Sequence, residues 1–527
     1  MAGTRTYDRI RSFGGGVDNY RPASEINPDQ SQLMENCIVR DNYEVRTRPG
    51  ADQIDSKPTT FNKVAPAGPV QGLFYFNTVL RGNPLSLLML AEGQKLYSWN
   101  GGAWAGPLAI GINLSPNAQI AFEQGVDKLF ISDGVNNPQI YDGQVFTDSG
   151  GAGQLNAPVG CTILCFSAGR MLASGVAAYP DTIFVSNLLN YGPGNWNSAT
   201  MSFRIGDGDG EAIVALVKMQ NFMVAVLKEN SVWLMNMDPS LPIANWQAQP
   251  QGDLVGSGIG CVGRRAWCQY QNDVLFMSPD GVQSLQRMQA AAGQYQLSAP
   301  LSLPIQPYID RINWSVAYLI KAVKYRHLAI FFVPLDVSAT NNYALIWNGR
   351  LGQWTGAWTG WTGEDACISR FSKTIQLVIG GADGSVNLWK DDPTLLTLDS
   401  TYLDNGAAIP TTLNTRSLIF QNFDASKKLR ASLFRFNGGN ANITASAVLD
   451  LANDDDWNAS VQPGGDILPA LLPFKLASFK PSEAYRSLEG LNYCNEAYFT
   501  LNSASGWWAL RNILASAYLK PIKDPTA

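Results

Sequence analysis

Histidine is almost absent: the 527-residue chain has one, His327. A zinc centre built on several imidazoles is therefore excluded within one chain. The commonest general acid–base side chain is present once, and in Lys324-Tyr325-Arg326-His327-Leu328-Ala329-Ile330 it reads as a blade residue at the start of a strand. Charge is also sparse, at 15% Asp, Glu, Lys and Arg. With 46% hydrophobic residues, that balance argues against intrinsic disorder. Net charge is −5 and the pI about 5.2, with no run of Lys or Arg. A protein that coats nucleic acid is expected to carry a basic stripe, although a conduit can surround DNA without gripping its phosphates. The seven cysteines are odd in number and thinly spread, unlike a secreted disulfide framework. Cys161 and Cys165, and Cys261 and Cys268, lack the CxxC spacing. Residues i and i+4 of a strand share a face, so the first pair is expected to point into a core as reduced thiols. The nearest candidate for a membrane span, Ala212 to Leu227, is broken by Lys218, Gln220 and Asn221. The N-terminal MAGTRTYDRIRSFGGG has no apolar signal-peptide region. A chain made in a cytoplasm, soluble or joined to an assembly, is expected. No G-x-S-x-G, P-loop or dinucleotide fingerprint is present.

What is plentiful is turn and strand chemistry: 49 Gly, 29 Pro and 11% aromatics. The length predicts two or three domains, in an all-β fold with three parts. Residues 1–64 read as an extended N-terminal arm with one short helix near Asp29 to Cys37, because Pro28 and Asp29 sit where a helix starts. Residues 65–395 read as an irregular β-propeller of six or seven blades, with a set of unrelated sandwiches as the alternative. Three copies of one unit recur: Trp99-Asn100-Gly101 with Trp104, Tyr141-Asp142-Gly143 with Phe146, and Trp347-Asn348-Gly349 with Trp354. Asn-Gly and Asp-Gly suit a type I′ hairpin turn, and the flanking aromatics can pair across its strands. Trp99 to Tyr141 and Trp347 to Trp389 are each 42 residues apart, the length of one four-stranded blade. Asp280-Gly281 and Asp383-Gly384 are related turns. Residues 396–527 read as a C-terminal β-domain of sandwich type, with alternation over Leu433 to Leu449 and Ala497 to Leu519.

Candidate binding chemistry is thin. Gly206-Asp207-Gly208-Asp209-Gly210-Glu211 resembles part of a calcium loop. It lacks the third Asp or Asn and the distant Glu of an EF-hand, and reads as a turn. Asp454, Asp455 and Asp456 read as a solvated loop, as does Gln462-Pro463-Gly464-Gly465. Carboxylate pairs of the kind glycosidases use are compatible with a propeller, but no pair stands out. No catalytic residue, cofactor or metal ligand is predicted.

The arm carries a family resemblance. Phe13, Gly14, Gly15, Gly16 and Val17 open it; Pro22, Asn27-Pro28-Asp29-Gln30 and Asn36 follow; Arg46, Thr47, Arg48, Pro49 and Gly50 close it. This resembles the opening of nozzle proteins, also called tail hub or tail tubular B-type proteins, of short-tailed bacteriophages. Gly206 to Ile213 with Asn221 to Val226 and Ser231-Val232-Trp233 is similar to one of their blades, and Gly258 to Val282 to the next. The likeness covers the arm and most of the propeller and is weaker over the last 130 or so residues. The chain is shorter than the longest members, so extra fibre-docking or peptidoglycan-degrading insertions are expected to be missing.

The resemblance implies a structural virion protein in the viral tail: a ring, hexameric in this family, below the portal and its adaptor. Such a ring forms the DNA channel, retains the packaged genome and anchors tail fibres or spikes, without sequence-specific DNA binding or stable membrane insertion. It would be synthesised in the bacterial host cytoplasm. A closed ring needs head-to-tail contacts, and an acidic or neutral channel lining would let DNA slide. A propeller receptor- or glycan-binding module is the alternative, and a propeller glycoside hydrolase a further one.

Overall fold

The computed structural model describes residues 5–40, 42–54, 68–80, 83–150, 155–206, 208–238, 253–292, 299–392, 394, 396, 398–420, 426–449, 457–461, 482–488 and 494–519. Seven small antiparallel sheets follow one another along the chain from Val70 to Trp389. Their first strands are Val70–Leu80, Ala121–Gly125, Ile163–Ser167, Ile213–Lys218, Trp267–Tyr270, Lys321–Tyr325 and Gly363–Ser369. Neighbouring first strands pack against one another in blades 1 to 4 and in blades 5 to 7, and the seventh returns against the first, where Leu73 N–H donates to Asp365 Oδ2 at 2.8 Å. The fold is a seven-bladed β-propeller with its first strands around the axis.

The interfaces of the first four blades each have an apolar core of their own, whereas blades 4 to 6 share one core with the C-terminal sandwich. Phe76, Met89, Leu129 and Ile131 fill the space between blades 1 and 2. Phe130, Met171, Tyr191 and Trp196 fill that between blades 2 and 3. Leu172, Ile183, Leu216 and Val226 do so between blades 3 and 4. The second strands read as nearly continuous apolar runs, such as Leu328–Val333, because both of their faces are covered. Ala212 to Leu227, the most membrane-like stretch of the sequence, is the inner hairpin of blade 4. No described helix is long and apolar enough to cross a membrane.

Two blades depart from the four-strand plan. Among the described residues blade 5 has three strands, and a helix, Leu285–Ala292, packs beside them. Blade 7 takes its outer strand from the arm: Ala51–Gln53 pairs with Val386–Trp389, Ala51 opposite Trp389. The propeller ring is thus closed by a strand that precedes it in sequence.

The rest of the arm is built into the C-terminal region. There, two sheets pack face to face as a sandwich. One contains Gln30–Glu35, Thr411–Thr415, Ala497–Ser503, Ile443–Leu449 and Trp457–Val461. The other contains Ser482–Ser487, Lys427–Gly439, Trp508–Leu519, Val45–Thr47 and Cys37–Val39, with Arg5–Ile10 beside Trp508–Leu519. Phe434 and Phe499 meet edge to face between them, ring centroids 5.4 Å apart. The first sheet also continues blade 6, through one parallel pairing of Ala357 with Glu35.

One expectation is corrected. The helix expected near Asp29 to Cys37 is the strand Gln30–Glu35 followed by Cys37–Val39. Pro28 and Asp29 build a turn in which Gln30 N–H reaches the Asn27 carbonyl at 3.0 Å, and Gln30 Oε1 accepts Asn27 N–H at 2.9 Å. Pairing with Thr411–Thr415 then overrides the local start signal. The arm, though extended, is not free-standing, since its strands belong to the sandwich and to blade 7.

Candidate functional site

Of the residues that carry the arm's resemblance, Asn36, Arg46, Arg48, Pro49 and Gly50 converge on one buried joint. Arg48 is fully buried. Its guanidinium donates to Asn36 Oδ1 (3.0 Å), the Pro49 carbonyl (3.1 Å), the Thr359 carbonyl (2.7 Å) and both carboxylate oxygens of Asp404. It lies 4.3 Å from the Trp361 ring centroid, close enough for cation–π attraction. Asn36 sits in the left-handed region (φ 53) and donates to Thr359 Oγ1 and the Pro410 carbonyl. Trp389 donates to the Pro49 carbonyl and Trp358 to that of Cys37. Gly50 has no room for a side chain, since a Cβ there would meet the Leu403 carbonyl oxygen at 2.0 Å. Arg46 caps the outer side, bonded to the Tyr402 hydroxyl and stacked 5.3 Å from the Trp507 ring. Phe13 is buried at the far end of the arm, its N–H on the Tyr43 carbonyl. Gly14 passes close to the Tyr43 ring, and Gly15 donates to the Asp29 carbonyl. This joint welds blades 6 and 7 to the sandwich. The Arg48 guanidinium at its centre is bonded on all sides by other groups of the chain.

The hairpin repeats fall at equivalent places, between the third and fourth strands of blades 1, 2 and 6. The aromatics pair in register as expected: Trp99 with Trp104, Tyr141 with Phe146, Trp347 with Trp354. The turns are not type I′. Gly101 and Gly143 have positive φ, but Asn100, Asp142, Asn348 and Gly349 do not. Instead the side chain closes a wider loop. Asn100 Oδ1 accepts Gly102 and Ala103 N–H, Asp142 Oδ1 accepts Gln144 and Val145 N–H, and Asn348 Oδ1 accepts Arg350 and Leu351 N–H. These are Asx turns, which need the side-chain oxygen more than a positive φ. Bonding from Val145 N–H helps hold the Asp142 carboxyl below its usual range. Asp280-Gly281 and Asp383-Gly384 lie between second and third strands instead.

The other candidates are absorbed into the blades. His327 is in the inner turn of blade 6, its carbonyl accepting Gly349 N–H at 2.9 Å. Cys161 and Cys165 are both buried, but Cys161 precedes its strand, so the two pack into different blade interfaces. In the Gly-Asp-Gly-Asp-Gly stretch, Asp207 lies outside the described residues. Asp209 pairs with Lys228, which is fully buried and also donates to the Ile205 carbonyl at 2.9 Å. Glu211 accepts the Ser231 hydroxyl. Asp454 to Asp456 and Gln462 to Gly465 lie outside the described residues. Among the described residues, no three His, Cys, Asp or Glu gather closely enough to hold a metal ion.

A second site was not visible in the sequence. A cavity of about 340 Å³ lies on the propeller axis, lined from all seven first strands or the residues leading into them. Arg264, Arg265, Lys321 and Lys324 line it, with Glu123 and Asp365. Asp365 is buried between Lys321 (2.9 Å) and Arg265 (3.5 Å). Burial pushes its carboxyl up, but those two cations hold it below its usual range. Desolvation pushes the Glu123 carboxyl up to about 7, against the lowering effects of the Phe166 N–H and the Lys218 charge. Burial, then the adjacent charge of Arg265, brings Arg264 down to about 10. These six residues come from four blades, so no sequence spacing links them.

No protein-family model matches the chain, and no curated protein matches it. Among solved structures, the chain is similar to the computationally designed Ika8 protein, at 14% identity and TM-score 0.34 over 61% of this chain and 96% of that one. It is similar to the Neurospora crassa Pan2 WD40 domain at 11% identity and TM-score 0.35, over 67% and 96%. It is also similar to the AfRom2 CNH domain at 10% and 0.35, over 65% and 97%. The propeller assignment rests on the strand order, not on these likenesses.

Proposed function

We propose that this chain is a non-catalytic structural subunit of a tail nozzle of a short-tailed bacteriophage, forming a ring, hexameric as in that family, below the portal and adaptor. In this reading the ring encloses the DNA channel, retains the genome and anchors fibres or spikes in the virion tail. The observation that carries it is the Arg48 joint: the residues that resemble the nozzle opening form a buried weld rather than an open cleft. A wall element under pressure needs such rigidity between its parts. The axial cavity is far too small for a duplex, whose major groove alone is about 12 Å wide. The channel in this reading therefore lies between subunits, with an acidic or neutral lining.

A contact face for ring closure is also available. Val79, Val126, Leu188, Leu189 and Phe222, from blades 1 to 4, are 48–64% exposed. Val126, Leu189 and Phe222 also hold positive φ, a conformation bulky side chains rarely adopt. Exposure and backbone strain together are tolerated where a partner covers the residue. Electron microscopy of the chain with portal and adaptor tests the proposal. Sixfold rings, broken by Val126→Asp with Phe222→Asp, are expected. Monomers only, or a continuous Lys/Arg band along the lumen, would overturn it.

The glycan- or receptor-binding reading has one observation in its favour. A groove of about 1170 Å³ between blades 1, 6 and 7 is lined by Trp99, Trp104, Tyr325 and Trp389, and the buried Trp104 indole N–H has no acceptor among the described residues. Binding of the monomer to a glycan panel, lost in Trp104→Ala, would favour that reading.

A further inference from the structure

The axial cavity holds more positive charge than its carboxylates balance. Four cations face two acids there, on a chain whose net charge is −5. Asp365 is shared by Arg265 and Lys321. Arg265 is further tied down, donating to the Gln71 and Ile120 carbonyls at 2.6 and 2.7 Å. Arg264 is not held in this way. Its one side-chain hydrogen bond among the described residues is a long one, 3.5 Å to the Thr162 carbonyl. Lys324 lines the same cavity with no hydrogen bond or ion pair among the described residues. Glu123 already accepts the Phe166 N–H at 3.0 Å and makes no ion pair with either cation.

Two neighbouring guanidinium groups repel one another, and the low-dielectric walls of a cavity strengthen that repulsion. An anion beside Arg264 offsets that repulsion, and a guanidinium matches the paired oxygens of a carboxylate or phosphate. Lysine supplies a point charge for the same ligand. The position is fixed by backbone: Trp267 donates its indole N–H to the Arg264 carbonyl at 3.0 Å, and Arg264 lies just before the first strand of blade 5. A structural salt bridge would have supplied a carboxylate here, as it does for Arg48, Arg204 and Lys228 elsewhere in the chain.

We propose that the propeller axis is a binding site for one small oxyanion, phosphate or carboxylate, held by Arg264 and Lys324. The site is independent of the nozzle reading and applies to any role of the propeller. Isothermal titration of the full chain with inorganic phosphate, and separately with malonate, at constant ionic strength set by sodium chloride, tests it. One ion per chain is expected, and the stronger of the two ligands identifies the oxyanion class. Arg264→Gln is expected to weaken binding at least tenfold and Lys324→Gln at least threefold. Lys95→Gln, an exposed lysine bonded to Asn113 away from the cavity, is expected to leave it unchanged. If Arg264→Gln does not fold, Lys324→Gln decides alone, because that side chain is exposed and makes no hydrogen bond or ion pair among the described residues. Heats no larger than with chloride overturn the proposal, as does unchanged affinity in the Lys324 variant or an equal loss in Lys95→Gln.

Discussion

The Arg48 joint and the propeller axis use the same ingredients to different ends. Both place arginine and aspartate out of water among aromatic or apolar neighbours. At the joint, Arg48 has Asp404, Asn36 and two carbonyls, and its cation is fully paired. At the axis, one buried carboxylate serves two cations, and among the described residues Arg264 has only a long contact. A saturated cation is a fastener. An undersaturated one, in a cavity, is open to a ligand.

Three substitutions sharpen or break that comparison. The largest effect is expected from Arg48→Met, which strands the Asp404 carboxylate and orphans acceptors on Asn36 and Thr359. A loss of about 3–5 kcal/mol is expected by chemical denaturation, against less than about 1 kcal/mol for Arg264→Gln in phosphate-free buffer. Equal losses would erase the distinction. Next is Glu123→Gln. The folded carboxyl titrates near 7, above its ordinary 4.5. The folded state therefore holds its proton more tightly, and stability falls as pH rises from about 4.5 through 7. The amide removes this penalty while still accepting the Phe166 N–H. A gain of up to about 3 kcal/mol at pH 8, and none at pH 4, is expected; a pH-independent difference between the two proteins would refute it. The smallest effect belongs to Asn100→Ala, which deletes an exposed Asx turn and should cost about 1 kcal/mol. Asn100→Asp keeps the acceptor and should restore that loss. If the aspartate variant is as unstable as the alanine one, the side-chain oxygen does not close the loop.

Much of the propeller was legible in the sequence because its signals are local. The 42-residue interval works because Trp99 and Tyr141, like Trp347 and Trp389, occupy third strands of adjacent blades. The cross-strand aromatic pairs follow from hairpins only a few residues long. The turn type was misjudged because Asn-Gly and Asp-Gly serve both type I′ and Asx geometry, and loop length decides between them. The helix expected at Asp29 was misplaced for a related reason: a Pro-Asp pair starts helices and tight turns alike, and the partner strand lies almost four hundred residues away. Blade 5 gave no warning that a helix would stand beside its three strands.

By itself, the sequence determined the all-β class, the blade interval and the paired hairpins. Each depends on residue type and short spacing, which the chain carries wherever it goes. Tertiary structure alone decided that Ala51–Gln53 closes blade 7, that Arg48 finds Asp404, and that Arg264 and Lys324 stand over one cavity with a shared acid nearby. Those facts depend on closing a ring. A ring brings together residues that no period in the sequence relates, and it sets which buried charges meet a partner and which are left facing the axis.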